Sequence, residues 1–203
     1  MQKNLKTSME TTSHNSVSQF SVRTLEFAGL GAALQALRLP FGKEPRSGMK
    51  IPYQKETFGE KGVAVPYGNI VLVDYDDLKL LKTLAKRGDE HAKVLRGVVV
   101  WCEINAPRYI WQEFDTYRVG AERLSSESTM HIEGRGLSED ELVEMKEKLE
   151  EGHMQKRVWM FSYQTLRRIY KQRHDHRLPQ WRMFCGWIET LPLADELIIG
   201  DGV

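Results

Sequence analysis

The run Val98–Ile104, VVVWCEI, is apolar at every position but Glu103. A strand wetted on one face alternates apolar and polar residues; a run without alternation belongs between two covering layers. The chain is therefore expected to form a sheet with this segment as its central, doubly covered strand. The next residues turn from core-filling to chemistry. Asn105-Ala106-Pro107 reads as a helix start with Pro near the first helical position. The helix is expected to run to about Arg118, with Gly120 as its end.

The stretch Arg108–His131, RYIWQEFDTYRVGAERLSSESTMH, mixes aromatic, acidic, arginine, serine and histidine side chains around one glycine. Filling a core does not need that mixture. Binding an anionic, aromatic ligand does, because arginine and serine hold phosphate while Trp and Tyr faces hold a ring. A solvated amphipathic helix running into a polar loop shares part of the pattern. On the helix, Tyr109, Glu113 and Thr116/Tyr117 fall near one stripe, and Ile110, Phe114 and Tyr117 form an apolar second.

Around this segment the chain reads as one domain, 20–203, preceded by an arm, 1–19. The arm's Ser, Thr, Asn and Gln content and its lack of apolar period predict disorder. Phe20–Phe27 alternates and predicts a half-buried strand. Gly29-Leu30-Gly31 then opens a short helix closed by Pro40, a turn that serves either as a tight connection or as a phosphate-facing backbone. Pro40–Gly62, with three prolines and four glycines, reads as a long loop. Gly68–Asp74 predicts a strand, and Asp76 caps a helix through Arg87 that stops at Gly88. Ser138 to Glu141 is a capping box opening an acidic helix that ends at Gly152. Arg157–Arg173 reads as one long helix, aromatic on one side and basic on the other. Pro179 at the first helical position begins the last helix, stopped by Pro192; the tail is an edge strand or frays.

Bulk properties remove several classes. The net charge of +1 gives no global field for nucleic acid or anionic membrane, so any anion site is local. Two cysteines, Cys102 and Cys185, each in an apolar stretch, predict a reduced interior rather than a disulfide framework or zinc site. No apolar run approaches the roughly 20 residues of a membrane span, and a cytoplasmic protein is expected. His174-Asp175-His176 has a metal-like look but reads as a solvated turn, and no metal site is expected. The basic run Arg167–Arg177 is either a phosphate-contacting surface or a solvated helix face.

Taken in order, the strand, helix, apolar strand, Pro-started helix, Arg–Gly–Ser loop and two closing helices resemble the flavin-dependent thymidylate synthases. In that family a helix leaving a central strand carries Arg-His-Arg, then spaced Ser, Asn-Glu, Ser and Arg-Tyr. Here Thr116-Tyr117-Arg118 stands where Arg-His-Arg would, with Val119-Gly120 following as in many members. Ser128 takes the place of the last serine and Met130-His131 that of Arg-Tyr, after a two-residue insertion. Ser162–Arg173 is similar to the family's Asn-x-Arg-Ser-Leu helix. Pro179-Gln180-Trp181 is similar to its Ala-Gln-Trp, with Arg182 where Glu would follow. The segments Trp111–Gly120 (W-x-E-F-D-T-Y-x-V-G) and Ser128–His131 (S-T-M-H) also resemble uncharacterised phage and prophage proteins of this type.

The resemblance implies an α/β fold (α+β in looser usage), with a mostly antiparallel sheet packed with helices, in a homotetramer whose sites form between subunits. It implies FAD and a dUMP-like pyrimidine nucleotide, and it allows a folate. Reduced FAD would pass a hydride to a methylene group delivered from methylene-tetrahydrofolate onto dUMP, without a cysteine nucleophile. Nucleotide contacts would come from Arg118, Ser125, Ser126, Ser128, His131, Gln180 and Arg182, and cofactor contacts from Glu113, Tyr117, Arg118 and Arg173. Two of the three Arg-His-Arg positions lack the charge or imidazole, and Met130 cannot bind an anion as arginine does. Two classes therefore stand: a divergent flavin-dependent enzyme acting on a pyrimidine nucleotide, or a non-catalytic nucleotide-binding or regulatory protein on the same fold.

Overall fold

The computed structural model describes residues 17, 19–45, 62–65 and 71–200. Most of the expected arm, most of the Pro40–Gly62 loop and the start of the Gly68–Asp74 strand lie outside the described residues. What is described is a mixed helical and antiparallel-sheet fold.

Strand β1 (Ser21–Ala28) leads into helix α1 (Leu30–Arg38) through Gly29. At φ +87° Gly29 sits in the left-handed region, and a Cβ there would lie 1.7 Å from the Gly97 carbonyl oxygen. The glycine is thus a packing contact that admits another backbone. A two-stranded ribbon pairs β2 (Gly62–Val65) with β3 (Val71–Asp74), followed by α2 (Tyr75–Lys86). The cap of α2 is Asp74 rather than the expected Asp76; the Asp74 side chain accepts from the Asp76 N–H at 2.9 Å. On the core face of α2, Asp77 is fully buried and ion-paired with Arg38 of α1 at 2.5 Å. A buried carboxylate needs such a partner.

The main sheet runs β1-β4-β6-β5, antiparallel throughout, with β4 spanning Val99–Pro107, β5 Ala121–Ser126 and β6 Met154–Ser162. The apolar run is central, as its composition demands, but its two faces differ. Val100, Cys102, Ile104 and Ala106 are fully buried, whereas Val99, Trp101, Glu103 and Asn105 are half-buried. The register places Trp101 beside Met160 and Glu103 beside Val158, which are half-buried too.

The segment expected as one helix over Arg157–Arg173 is a strand and a helix. Met154–Ser162 pairs with β4 on one side and β5 on the other. Ser162 then caps α6 (Tyr163–Arg173), its hydroxyl accepting from the Thr165 N–H at 3.2 Å. Burial of Trp159 and Phe161, alternating with half-buried Val158 and Met160, is the period of a strand. Helix α3 (Arg108–Phe114) begins after Pro107, which is the last strand residue and the N-cap, and it ends short of the expected Arg118. Beyond β5 come a single turn, α4 (Thr129–Ile132), and the acidic α5 (Glu139–Glu147), whose capping box between Ser138 and Glu141 is formed. Helix α7 (Pro179–Glu189) has Pro179 in its first turn, and the tail ends in a short wide helical turn, Asp195–Ile199, rather than an edge strand.

The core is strongly aromatic where α3, α6 and α7 meet the sheet. Phe114 stacks on Trp181 at 4.4 Å and meets Phe184 edge-on at 5.0 Å, while Trp159 and Phe161 lie near-parallel at 5.5 Å. Trp111, 1 % exposed, belongs to this core, so its ring is not offered to a ligand.

Candidate functional site

Helix α3 is anchored at its start by backbone bonds. The first N–H groups of a helix have no acceptor within it. Here those of Arg108 and Tyr109 donate to the His153 and Glu151 carbonyls at 3.1 and 3.2 Å. From that fixed origin Tyr109 and Glu113, four residues apart, stand one above the other. After Phe114 the chain turns, and Tyr117 points back inward, 5 % exposed.

Three elements converge on Glu113. Its Oε2 accepts from Arg173 Nη1 at 2.6 Å at the end of α6, and from the Trp181 indole N–H at 3.0 Å on α7. Arg173 Nε donates to Tyr117 Oη at 2.9 Å, and Tyr117 in turn donates to Gln172 Oε1 at 2.9 Å. The guanidinium lies 4.6 Å over the Trp181 ring, a cation–π placement. His176 Nε2 lies 2.9 Å from Arg173 Nη1 and 3.8 Å from Glu113 Oε2. Of the four expected cofactor contacts, Glu113, Tyr117 and Arg173 therefore form one network, which Trp181 and His176 complete, while the fourth, Arg118, lies outside it. Of these two, Trp181 belongs to the Pro-Gln-Trp motif, while the His174-Asp175-His176 signal points to a solvated turn and not to this network.

Gln180, 1 % exposed, donates to Tyr109 Oη at 2.5 Å, and its Oε1 is buried without a partner. Arg182 turns the other way. Its Nη1 donates to the His176 carbonyl at 2.6 Å and the Arg177 carbonyl at 3.2 Å, which pins the loop before α7.

Arg118 is exposed, its Nε 3.4 Å from the Asp115 carbonyl oxygen. It lines a shallow depression of about 450 Å³ with Asp115, Tyr117, Ala121, Glu122, Arg123 and Trp159. Asp115 gathers two further arginines: Arg123 Nη1 at 3.6 Å and Arg157 Nη1 at 3.5 Å. Arg157 is held by stacking 4.5 Å over Trp111 and by its Nε donating to Gln155 Oε1 at 3.1 Å. Burial pushes the Arg157 guanidinium below its usual range; the Asp115 charge opposes this, and the neighbouring Arg123 and Arg108 charges add to it. Sequence reading missed both arginines, because β5 is a polar edge strand and Arg157 was assigned to a helix.

The serines and His131 extend away along β5. Ser125 and Ser126 are exposed residues of that edge strand. Ser128 caps α4, its Oγ 3.3 Å from the His131 N–H and 2.9 Å from His131 Nδ1. Within one chain, then, the structure brings together Glu113, Tyr117 and Arg173, with Arg118 on the adjoining depression. Ser125, Ser126, Ser128 and His131 lie on the β5–α4 side, and Gln180 sits in the core. Among the described residues no group of three His, Cys, Asp or Glu side chains gathers as a metal site, and no helix is long and apolar enough to cross a membrane.

No protein-family model matches the chain, and no curated protein matches it in sequence. Solved structures do match in shape. The chain is similar to the flavin-dependent thymidylate synthase ThyX of Helicobacter pylori complexed with FAD and dUMP, with a TM-score of 0.58 and 13 % identity, covering 85 % of this chain and 94 % of that one. A second structure of ThyX from the same organism with FAD and dUMP gives a TM-score of 0.60 and 13 % identity, over 88 % and 96 % of the two chains. At that identity the likeness establishes the fold: this chain has a ThyX-like fold.

Proposed function

We propose that the protein is a divergent flavin-dependent thymidylate synthase-like enzyme, acting on dUMP or a related pyrimidine nucleotide by FAD-mediated reductive methylation. The observation that carries this reading is the convergence of Glu113, Tyr117, Arg173 and Trp181 beside the arginine-lined depression, on a fold shared with solved ThyX structures complexed with FAD and dUMP.

The donor set suits both ligands. Guanidinium forks match phosphate and pyrophosphate oxygens. Gln180, expected as a nucleotide contact, is 1 % exposed and is left out of this donor set. When bound, the flavin supplies the hydride. The residues of this chain bind and orient. Arg118 and the Ser125, Ser126, Ser128 and His131 group hold nucleotide oxygens, Tyr117 and Arg173 contact the cofactor, and Glu113 fixes the Arg173 guanidinium. Arg182 acts through the loop it pins, its Nη1 donating to two backbone carbonyls there.

The depression has a volume of about 450 Å³. That lies in the lower part of the range of small-molecule pockets, which suits a mononucleotide. A dinucleotide beside it requires further surface, and a second copy is its natural source. The half-buried sheet face of Trp101, Val158 and Met160 supports such an assembly. The homotetramer and a folate methyl donor belong to this proposal.

One observation favours the second reading, a non-catalytic nucleotide-binding or regulatory protein. Arg173 is already engaged by Glu113, Tyr117 and the Trp181 face, so a ligand anion must compete for it. The visible absorption spectrum of the purified protein, before and after adding FAD and dUMP, separates the two. Flavin bands that shift with dUMP support the enzyme. No flavin uptake at high FAD overturns the redox chemistry and leaves the binding module.

A further inference from the structure

His176, in the loop between α6 and α7, faces more hydrogen-bond donors than its ring can accept. Its Nδ1 accepts from the Leu178 N–H at 3.2 Å, and its Nε2 lies 2.9 Å from Arg173 Nη1. A guanidinium has donors only, so Nε2 must accept as well. A neutral imidazole has one N–H and one lone pair and cannot accept at both nitrogens; an imidazolium accepts at neither. One contact therefore gives way in every protonation state, and Nε2 is the atom with an alternative. Glu113 Oε2 lies 3.8 Å from it, held for the moment by Arg173 Nη1 at 2.6 Å. With its proton on Nε2, the ring keeps the Leu178 bond and aims that N–H at the carboxylate. The other groups around the ring do not compete. Arg182 of α7 donates to the His176 carbonyl, and the Trp181 ring meets the imidazole edge-on at 6.3 Å. Within the loop, Asp175 pairs with His174 Nε2 at 2.9 Å and Arg177 is exposed. The Tyr117 hydroxyl is bonded to Arg173 Nε and Gln172.

We infer that His176 is a positioning residue that takes over Glu113 when Arg173 turns to a ligand anion. This rests on the flavin reading above, in which Arg173 contacts the cofactor, and says how Arg173 becomes free to do so. Both side chains of the Glu113–Arg173 pair are largely shielded, so a departing guanidinium would strand a carboxylate without a cation. A proton on His176 Nε2 supplies the replacement. It sets a donor against Glu113 and, in the imidazolium, a like charge against Arg173. Release of Arg173 and protonation of His176 are thus linked. Acidification favours the freed guanidinium and the bound diphosphate, and alkaline conditions return Arg173 to Glu113.

Two measurements test it. The first is fluorescence titration of the full chain with FAD, whose diphosphate keeps its charge over the range used. Affinity should rise about tenfold from about pH 8 to about pH 6, where an imidazole ordinarily gains its proton. Calorimetry in buffers of differing ionisation enthalpy should show proton uptake on binding. His176→Gln keeps a donor and an acceptor but cannot titrate, so it should flatten the slope and abolish the uptake. A merely structural His176 would instead lower affinity equally at every pH. The second measurement needs no ligand: the Glu113–Arg173 coupling, from a double-variant cycle of Glu113→Gln and Arg173→Gln. It should weaken across the same pH range, but not in a His176→Gln background. FAD binding with a flat profile, or a slope that survives in His176→Gln, overturns the role of His176 and leaves the flavin reading standing. No FAD uptake with a pH-dependent coupling removes the flavin reading and leaves the exchange standing. No uptake with a pH-independent coupling removes both.

Discussion

Glu113 Oε2 and Arg173 Nη1 meet at 2.6 Å across 60 residues of sequence, locking the end of α6 to the face of α3. The same oxygen receives the Trp181 indole N–H at 3.0 Å, so one carboxylate joins three helices. The Glu113 and Arg173 side chains are both largely shielded from solvent. In such a contact, removing one partner costs more than the pair itself contributes.

Glu113→Ala should therefore lower stability by about 2–3 kcal/mol, since Arg173 and Trp181 both lose their acceptor. Glu113→Gln keeps one acceptor and should cost about half as much. Arg173→Gln on the Glu113→Gln background should cost less than the two single changes summed, because the buried charge is gone. Urea denaturation of wild type, the two single variants and the double variant measures this; strict additivity would show that the two residues do not interact.

Gly120→Ala is expected to destabilise by about 2 kcal/mol or more. Its φ of +72° is the left-handed region, and a Cβ would fall 2.5 Å from Ser162 Oγ and 2.6 Å from Thr165 Oγ1. Ser162 Oγ caps α6, Thr165 Oγ1 donates to the Val119 carbonyl at 2.6 Å, and the Gly120 carbonyl accepts from the Ser162 N–H at 2.7 Å. Thermal unfolding should show a drop of several degrees. An unchanged Tm would mean that the turn and cap separate freely.

Stability should fall on the alkaline side. Burial, reinforced by the Glu189 charge, pushes the Cys185 thiol up from 9.0 to about 12, with Arg173 opposing. Burial and the hydrogen bond to Glu189 raise the Tyr170 hydroxyl from 10.0 to about 12, and burial raises Cys102 further still. Each group holds its proton in the folded chain where the unfolded chain releases it. Their stabilisation is thus complete below about pH 9 and is lost as pH climbs toward 12. Urea midpoints between about pH 8 and 11 should decline. A flat profile would show that these groups are not shielded in solution.

Trp101→Asp and Met160→Asp should dissociate the expected oligomer without unfolding the monomer, because both residues lie on the half-buried sheet face away from the helices. Loss of a central aromatic anchor from an interface costs about 2 kcal/mol or more. Light scattering should move from multimer to monomer. A wild-type monomer, or variants that remain multimeric, would remove this face as the interface.

The amino-acid order by itself determined the elements whose signals are local. A nearly continuous apolar run marked β4, Ser138 and Glu141 marked a capped helix start, and Pro179 marked the opening of α7. Each depends on residues within a turn of one another, and local physics suffices to read it. Helical spacing set Glu113 beside Tyr117; Arg173 joined them only through resemblance to a family, and the tertiary structure gave the group a geometry.

Tertiary structure decided the rest. The segment from Met154 to Ser162 carries aromatic and basic residues that suit a helix face, yet it is a strand because β4 and β5 supply hydrogen-bond partners on both sides. β5, polar and exposed, has no period to read and exists through that pairing. Once those strands are set, Arg123 and Arg157 arrive at Asp115 from two neighbouring strands, the second of them 42 residues away in sequence. No local pattern records that meeting, because a salt bridge costs the chain nothing in sequence until the fold brings its partners within reach.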